Sequence, residues 1–244
     1  MSTLNEMPDV VLTAIMDCLD FRSIMFLRKV CRDFRLFIDE VVPSSSIMGL
    51  ALAVNQERIE LGLQDSIAKF RKVLYSQPDQ QVAFWKDFEM ILKHQKSHLE
   101  YFTVALEPPK DYKTLDKSTL EKLHSEFLDK LQNLLTSRKA PLQAARLNLM
   151  AGDQNEIMSI LPNIDSEKLE ELLIYPAALP HMPVIKLDRV VETEQWKNAK
   201  ELTTANFMVE DPLDKFTHFQ KCSIWVDTIS LKLLRSLKEV RENI

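Results

Sequence analysis

"TLEKLHSEFLDKLQNLLTSRKAPLQAARLNLM", Thr119–Met150, decides the fold class. Its first half carries the apolar spacing of an amphipathic helix, and "AARLNLM" (Ala144–Met150) at its end is a short apolar strand. The same succession of helix and strand recurs on both sides of it. Upstream, "AFWKDFEMILKHQ" (Ala83–Gln95) precedes "LEYFTVAL" (Leu99–Leu106). Downstream, "NEIMSILPN" (Asn155–Asn163) precedes "LEELLIY" (Leu169–Tyr175), and "TEQWKNAK" (Thr193–Lys200) precedes "ELTTANF" (Glu201–Phe207). "DKFTHFQ" (Asp214–Gln220) then precedes "KCSIWVD" (Lys221–Asp227), and "SLKLLRSLKEVREN" (Ser230–Asn243) reads as a closing helix.

Strand centres at Leu147, Leu172, Thr204 and Ile224 lie about 25, 32 and 20 residues apart, against roughly 20–29 for a leucine-rich repeat. The units are irregular and repeat no Asn or Cys at a fixed turn position. The expectation is an α/β fold over residues 81–244: an irregular, leucine-rich-repeat-like solenoid with parallel strands. A doubly wound sheet is the structural alternative, although no Gly-rich loop follows any strand. Before this region, "LALAV" (Leu50–Val54) and "RIELGL" (Arg58–Leu63) alternate apolar and polar residues around Asn55–Glu57 and predict a hairpin. "VVPSSS" (Val41–Ser46) is a turn-rich break. The chain thus divides into three regions: 1–42, a connecting hairpin region 43–80, and 81–244.

Region 1–42 is all helical in pattern. Pro8 fits a first helical turn and Asp9 suits the helix dipole there. Val11, Leu12, Ile15, Met16 and Leu19 recur at helical spacing. Asp20 fits the N-cap of a second helix whose apolar face carries Ile24, Leu27, Val30, Cys31, Phe34, Leu36 or Phe37, and Ile38, between Arg22, Arg28, Lys29, Arg32 and Arg35. Burying a large apolar side chain is worth roughly 1.5–3 kcal/mol. Two short helices bury only the sides that face each other, so the surplus must meet the next domain or another protein.

Composition excludes several function classes. The 244 residues hold 31 basic and 36 acidic side chains, a formal charge of -5, which gives no basic surface for nucleic acid overall. Apolar residues make up 45%, ordinary for a packed core, and only 3 Gly stand against 11 Pro, which argues against Gly-rich phosphate loops. The 3 Cys (Cys18, Cys31, Cys222) form no CxxC pair and read as reduced thiols on apolar faces. With no secretory leader and no apolar run of membrane-spanning length, the expectation is a soluble cytoplasmic or nuclear protein.

No chemistry-bearing constellation emerges. His94 and His98 are four apart, metal-ligand spacing, but neither a Glu between them nor a third ligand appears, and solvated helix positions are the better reading. The three thiols read as inert. His218, between Phe216 and Phe219, reads as a core-edge histidine with one hydrogen bond. Trp85 and Trp196 read as core. Trp225 faces away from Ile224 and Val226, and is either a packing anchor or an exposed binding aromatic. No convergent acid, base and nucleophile is visible, so no cofactor, metal or catalytic residue is assigned.

The stretch Met7–Asp39 resembles an F-box. Met7-Pro8, Ile15, Leu19-Asp20, Leu27, Val30-Cys31 and Phe34 follow that family's order and spacing, with Met7 in place of the more usual Leu, a volume-conserving change. "ETEQWKNAKEL" (Glu192–Leu202) and "FTHFQKCSIWVDTISLKLLRSLKE" (Phe216–Glu239) resemble the FTH domain of a large nematode F-box family, as does "FEMILKHQKSHLEYF" (Phe88–Phe102) for its middle region. The resemblance implies a Skp-family adaptor, and through it a cullin, as partner. It implies an adaptor interface at Met7, Pro8, Val11, Leu12, Ile15, Leu19, Ile24, Leu27, Val30, Cys31 and Phe34. The chain is then a substrate-recognition subunit of an SCF-type (Skp adaptor–cullin–F-box) ubiquitin ligase, non-catalytic itself, with an unknown protein target, no nucleic acid and no membrane. A non-degradative interaction scaffold that retains adaptor binding is the alternative. In the isolated chain Met7, Pro8, Ile15, Leu19, Leu27, Val30, Cys31 and Phe34 are expected to be unusually exposed.

Overall fold

A computed structural model describes residues 7–41, 47–65, 70–107, 117–177, 184–209 and 213–226. The predicted closing helix lies outside these residues. The N-terminal module has three helices rather than two: α1 (Asp9–Asp17), α2 (Phe21–Val30) and α3 (Arg32–Val41). Asp20 caps α2 as expected, accepting from Ser23 N–H at 2.7 Å. The expected second helix breaks at Cys31, which is extended (φ -152°, ψ 172°). Its Sγ accepts from Phe34 N–H at 3.5 Å and its carbonyl from Arg35 N–H at 3.2 Å, so Cys31 starts α3 instead of lining a helix face. The break lets α3 turn back on α2. A bidentate pair holds them, Arg28 Nε and Nη2 donating to Asp39 Oδ1 and Oδ2 at 2.7 and 2.9 Å. Leu12, Met16, Ile24, Phe34 and Ile38 form a small core of the module's own.

The remainder is one mixed sheet. The predicted hairpin is β1 (Ile47–Val54) and β2 (Ile59–Asp65), followed by β3 (Phe70–Tyr75), all antiparallel. After α4 (Pro78–His94), β4 (Leu99–Leu106) pairs parallel to β1, so the hairpin belongs to the same sheet as the later strands. After α5 (Lys117–Thr136) comes β5 (Ala144–Ala151); after α6 (Gln154–Ile160) and a 3-10 turn comes β6 (Glu171–Pro176). A short β7 (Val184–Ile185) and α7 (Glu194–Asn198) precede β8 (Glu201–Val209), and a 3-10 turn precedes β9 (Lys221–Trp225). The order is β3-β2-β1-β4-β5-β6-β8, with β7 and β9 also pairing with β8; β1, β4, β5, β6, β8 and β9 run parallel.

Alternation of side chains sets the two faces of this sheet. Leu50, Phe102, Leu147, Leu172 and Leu202 stand in register across β1, β4, β5, β6 and β8, and join one core with Phe84, Phe88, Leu131, Ile157 and Trp196 from the helices. α4 to α7 therefore cover the same face. Local caps start them: Gln80 Oε1 accepts from Gln77 N–H at 3.1 Å with Pro78 at the first turn, Asp153 Oδ1 accepts from Asn155 and Glu156 N–H, and Thr193 Oγ1 from Trp196 N–H. Asn206 in β8 has φ 65°, which an Asn tolerates, and past it the buried face shifts from Leu202 and Thr204 to Phe207 and Val209.

Candidate protein-interaction surfaces

The first surface is on the helical module. Of the residues expected at an interface, Met7, Pro8, Val11 and Val30 are exposed, Val30 at 66%. Ile15, Leu19, Leu27 and Cys31 are half-buried. Leu12, Ile24 and Phe34 depart from the expected interface: they are 5%, 0% and 6% exposed and form the module's own core with Met16 and Ile38. Helical period fixed that they were apolar; the fold at Cys31 decided that they face inward. Val10, 81% exposed, and Phe26, also exposed, fall outside the expected apolar faces, while Leu36, one of two residues expected on the second helix's apolar face, is exposed. Exposed Lys29, Arg32 and Arg35 lie in α2 and α3 with Phe26, Val30 and Leu36. The module docks on the end of α4. Phe21 packs on the sheet's core with its ring 6.4 Å from the imidazole of His94, and Lys93 Nζ donates to Asp39 O at 3.2 Å. His94 is thus buried, contrary to the solvated position expected for it, while His98 is exposed.

The second surface is the sheet face away from the helices. Tyr101, Arg146, Glu171, Glu201 and Lys221 lie on it in register across β4, β5, β6, β8 and β9. Arg146 pairs with Glu171, and Lys221 with Glu201 at 2.6 Å. Tyr101 lies across β1 because Gly49 leaves room: a Cβ there would meet its ring at 2.2 Å. Its hydroxyl donates to Gln64 Oε1 at 2.8 Å, and burial raises its pKa. Thr103, Asn148, Met150, Leu173 and Tyr175 line a cavity of about 400 Å³ beside this row. Asn148 donates to Thr103 Oγ1 at 3.0 Å, and its own Oδ1 is buried without a partner among the described residues. Trp225, 54% exposed, stands on the same face as Lys221 and Ser223, since Cys222 is in register with Leu202 of the core face and Ile224 packs on the core. That resolves the two readings of Trp225 toward the exposed aromatic.

A larger cavity of about 700 Å³ lies where α3, α4 and α5 end. Glu40, Glu89, Lys93, Lys96, Arg138 and Lys139 line it, with no His or Cys among the described residues. Arg138 is structural there. It donates to the carbonyls of Leu92 and Gln95, closing the end of α4, and burial lowers its pKa. No group of three or more His, Cys, Asp or Glu able to hold a metal occurs among the described residues, and none of their helices is long and apolar enough to cross a membrane.

Around Trp196 the C-terminal motif residues come together. Trp196 is buried, its Nε1–H donates to Lys215 O at 3.1 Å, and Phe216 and Phe219 stand edge-on to it at 5.2 and 5.1 Å. His218 Nε2 donates to Trp196 O at 2.8 Å, the single hydrogen bond expected of it, although its ring is largely exposed. Residues 4–43 match the F-box domain family, and residues 125–243 match the FTH domain family. The chain is an F-box protein with a C-terminal FTH domain. No curated protein and no solved structure matches it. The F-box match spans α1 to α3, while the FTH match begins inside α5 and takes in β5 to β9. Neither covers residues 44–124, yet β1 and β4 continue the FTH sheet without interruption. F-box proteins are in general non-catalytic substrate adaptors that bind a Skp-family adaptor and, through it, a cullin.

Proposed function

We propose that this chain is the substrate-recognition subunit of an SCF-type ubiquitin ligase. The observation that carries the reading is the F-box at residues 4–43, whose own small core leaves Met7, Pro8, Val10, Val11, Phe26, Val30 and Leu36 exposed. That much uncovered apolar surface on three short helices belongs to an interface rather than to the folding of the module. Ile15, Leu19, Leu27 and Cys31, half-buried, complete its rim, whereas Leu12, Ile24 and Phe34 act from beneath by holding the helices in place. Lys29, Arg32 and Arg35 suit an acidic adaptor surface. The partner is a Skp-family adaptor bound to a cullin; the chain supplies no catalysis and works in the cytoplasm or nucleus.

The target, a protein, docks on the uncovered face of the FTH sheet, stacked as a solenoid, with Trp225 and Tyr175 as aromatic anchors. Pull-down with a purified Skp-family adaptor tests the first half. Wild type is expected to bind, and Val30→Asp to lose at least tenfold in affinity with an unchanged far-UV spectrum. No binding by wild type, or unchanged binding by Val30→Asp, removes the interface reading. Co-purification after proteasome inhibition, comparing wild type with Trp225→Ala, tests the second.

A further inference from the structure

The sheet ends on β3, and the outer edge of β3 pairs with nothing among the described residues. Such an edge offers a row of backbone donors and acceptors to any second strand, and soluble proteins guard it with Pro, bulges or charges pointing into the gap. β3 carries no Pro and no bulge, and its charged residues are Arg71 and Lys72. β3 reads Phe70-Arg71-Lys72-Val73-Leu74-Tyr75 and pairs with β2 over six consecutive residues without a register shift. Its two cations are drawn back toward β2, Lys72 Nζ to Glu60 at 2.5 Å and Arg71 Nη2 to Asp65 at 3.6 Å. Its apolar side chains are not withdrawn: Phe70, Val73 and Leu74 are all exposed, Leu74 at 52%. The tip of the Phe70 ring reaches over Gly62, where a Cβ would meet it at 2.5 Å. The next element, α4, adds exposed Val82.

Pairing parity narrows what fits this edge. Phe70, Lys72 and Leu74 share the uncovered face with Gln64, Gly62 and Glu60, whereas Arg71, Val73 and Tyr75 share the helix-covered face with Leu63, Leu61 and Ile59. Two copies of β3 related by a two-fold axis normal to the sheet keep both faces continuous only if the axis passes through a residue. Through Lys72, two ammonium groups would oppose each other. Through Val73, Val73 meets Val73, Lys72 meets Leu74, and Arg71 meets Tyr75, with no like charges opposed.

We propose that β3 is a dimerisation edge, pairing antiparallel with β3 of a second copy of this chain about an axis through Val73. The inference rests on the sheet alone and not on the adaptor reading. A single-edge interface with few anchors falls at the small end of stable contacts, with an expected Kd of about 10 μM.

Analytical ultracentrifugation of the full chain from about 1 to 100 μM, a range bracketing that Kd, reads the outcome. Wild type is expected to double in mass across the range. Val73→Lys opposes two ammonium groups on the axis and is expected to stay monomeric with an unchanged melting temperature. Leu74→Glu sets a carboxylate opposite Lys72 of the second copy and is expected to dimerise at least as tightly, the gain fading with salt. A wild type that stays monomeric throughout overturns the proposal, as does a dimer that Val73→Lys leaves intact. If Val73→Lys does not fold, Leu74→Glu decides: a retained or tighter dimer supports this register, and a monomer overturns it.

Discussion

The molecule has two hydrophobic cores of very different size. The F-box core rests on Leu12, Met16, Ile24, Phe34 and Ile38, and leaves apolar residues such as Val10, Phe26 and Val30 in solvent. The sheet core runs unbroken from Ile47 to Phe219 and includes every helix from α4 to α7. A three-helix module of this size cannot enclose all its own side chains, so its outward residues are available to a partner at little cost to folding. The sheet has the opposite arrangement: its helices close one face, and the other carries ion pairs, Tyr101, Tyr175 and Trp225. Burial therefore marks structure in both regions, while the outward residues are largely apolar on the F-box and mixed on the sheet.

The largest expected effect is in the sheet. Trp196→Ala removes the ring that holds Phe216 and Phe219 together with its bond to Lys215, and is expected to cost about 3–5 kcal/mol in urea unfolding. A cost below about 1 kcal/mol would show that the FTH end is not part of one cooperative core. Ile24→Ala is expected to cost about 2–4 kcal/mol, but within the F-box only. Hydrogen exchange should then show α1 to α3 opening while β4 and β5 stay protected, and parallel loss in both would merge the two cores into one unit.

Smaller still is the Arg28–Asp39 clasp. The Arg28 hydrogen bond lowers the Asp39 pKa, ahead of the opposing desolvation. A lowered folded-state value stabilises above the unfolded Asp value of about 3.9 and fades as pH falls through Asp39's own lower value. Asp39→Asn is accordingly expected to cost about 1 kcal/mol near neutral pH and almost nothing in strong acid. A cost independent of pH would mean that packing, not charge, joins α2 to α3. The smallest effect belongs to Trp225→Ala, within about 0.5 kcal/mol of wild-type stability, with adaptor binding unchanged and target capture reduced.

Much of the fold was legible because helix and strand periods are local. The strands centred on Leu147, Leu172 and Ile224, the β1–β2 hairpin and the Asp20 cap all follow from spacing and turn chemistry. β3 and the short β7 were not legible, since β3 lacks clean alternation and β7 is two residues long. Exposure on the F-box was legible in part. Val30 and Ile24 look alike in a helical wheel, yet one is exposed and the other enclosed. Val10 and Phe26 were missed because apolar character alone does not tell outside from inside. His94 was misplaced for the converse reason, a polar residue covered by Phe21 from a distant helix.

The inventory of this protein was readable from local pattern: a helical N-terminal stretch, helices alternating with strands, and the F-box and FTH motifs, each written in residues close together along the chain. Direction came from long-range packing. The extended backbone at Cys31 turned Phe34 inward, the register of β9 on β8 set Trp225 on the uncovered face, and the return of β4 to the far side of β1 left β3 with a free edge among the described residues. Those outcomes depend on residues brought together from far apart in the chain, and no local period carries them.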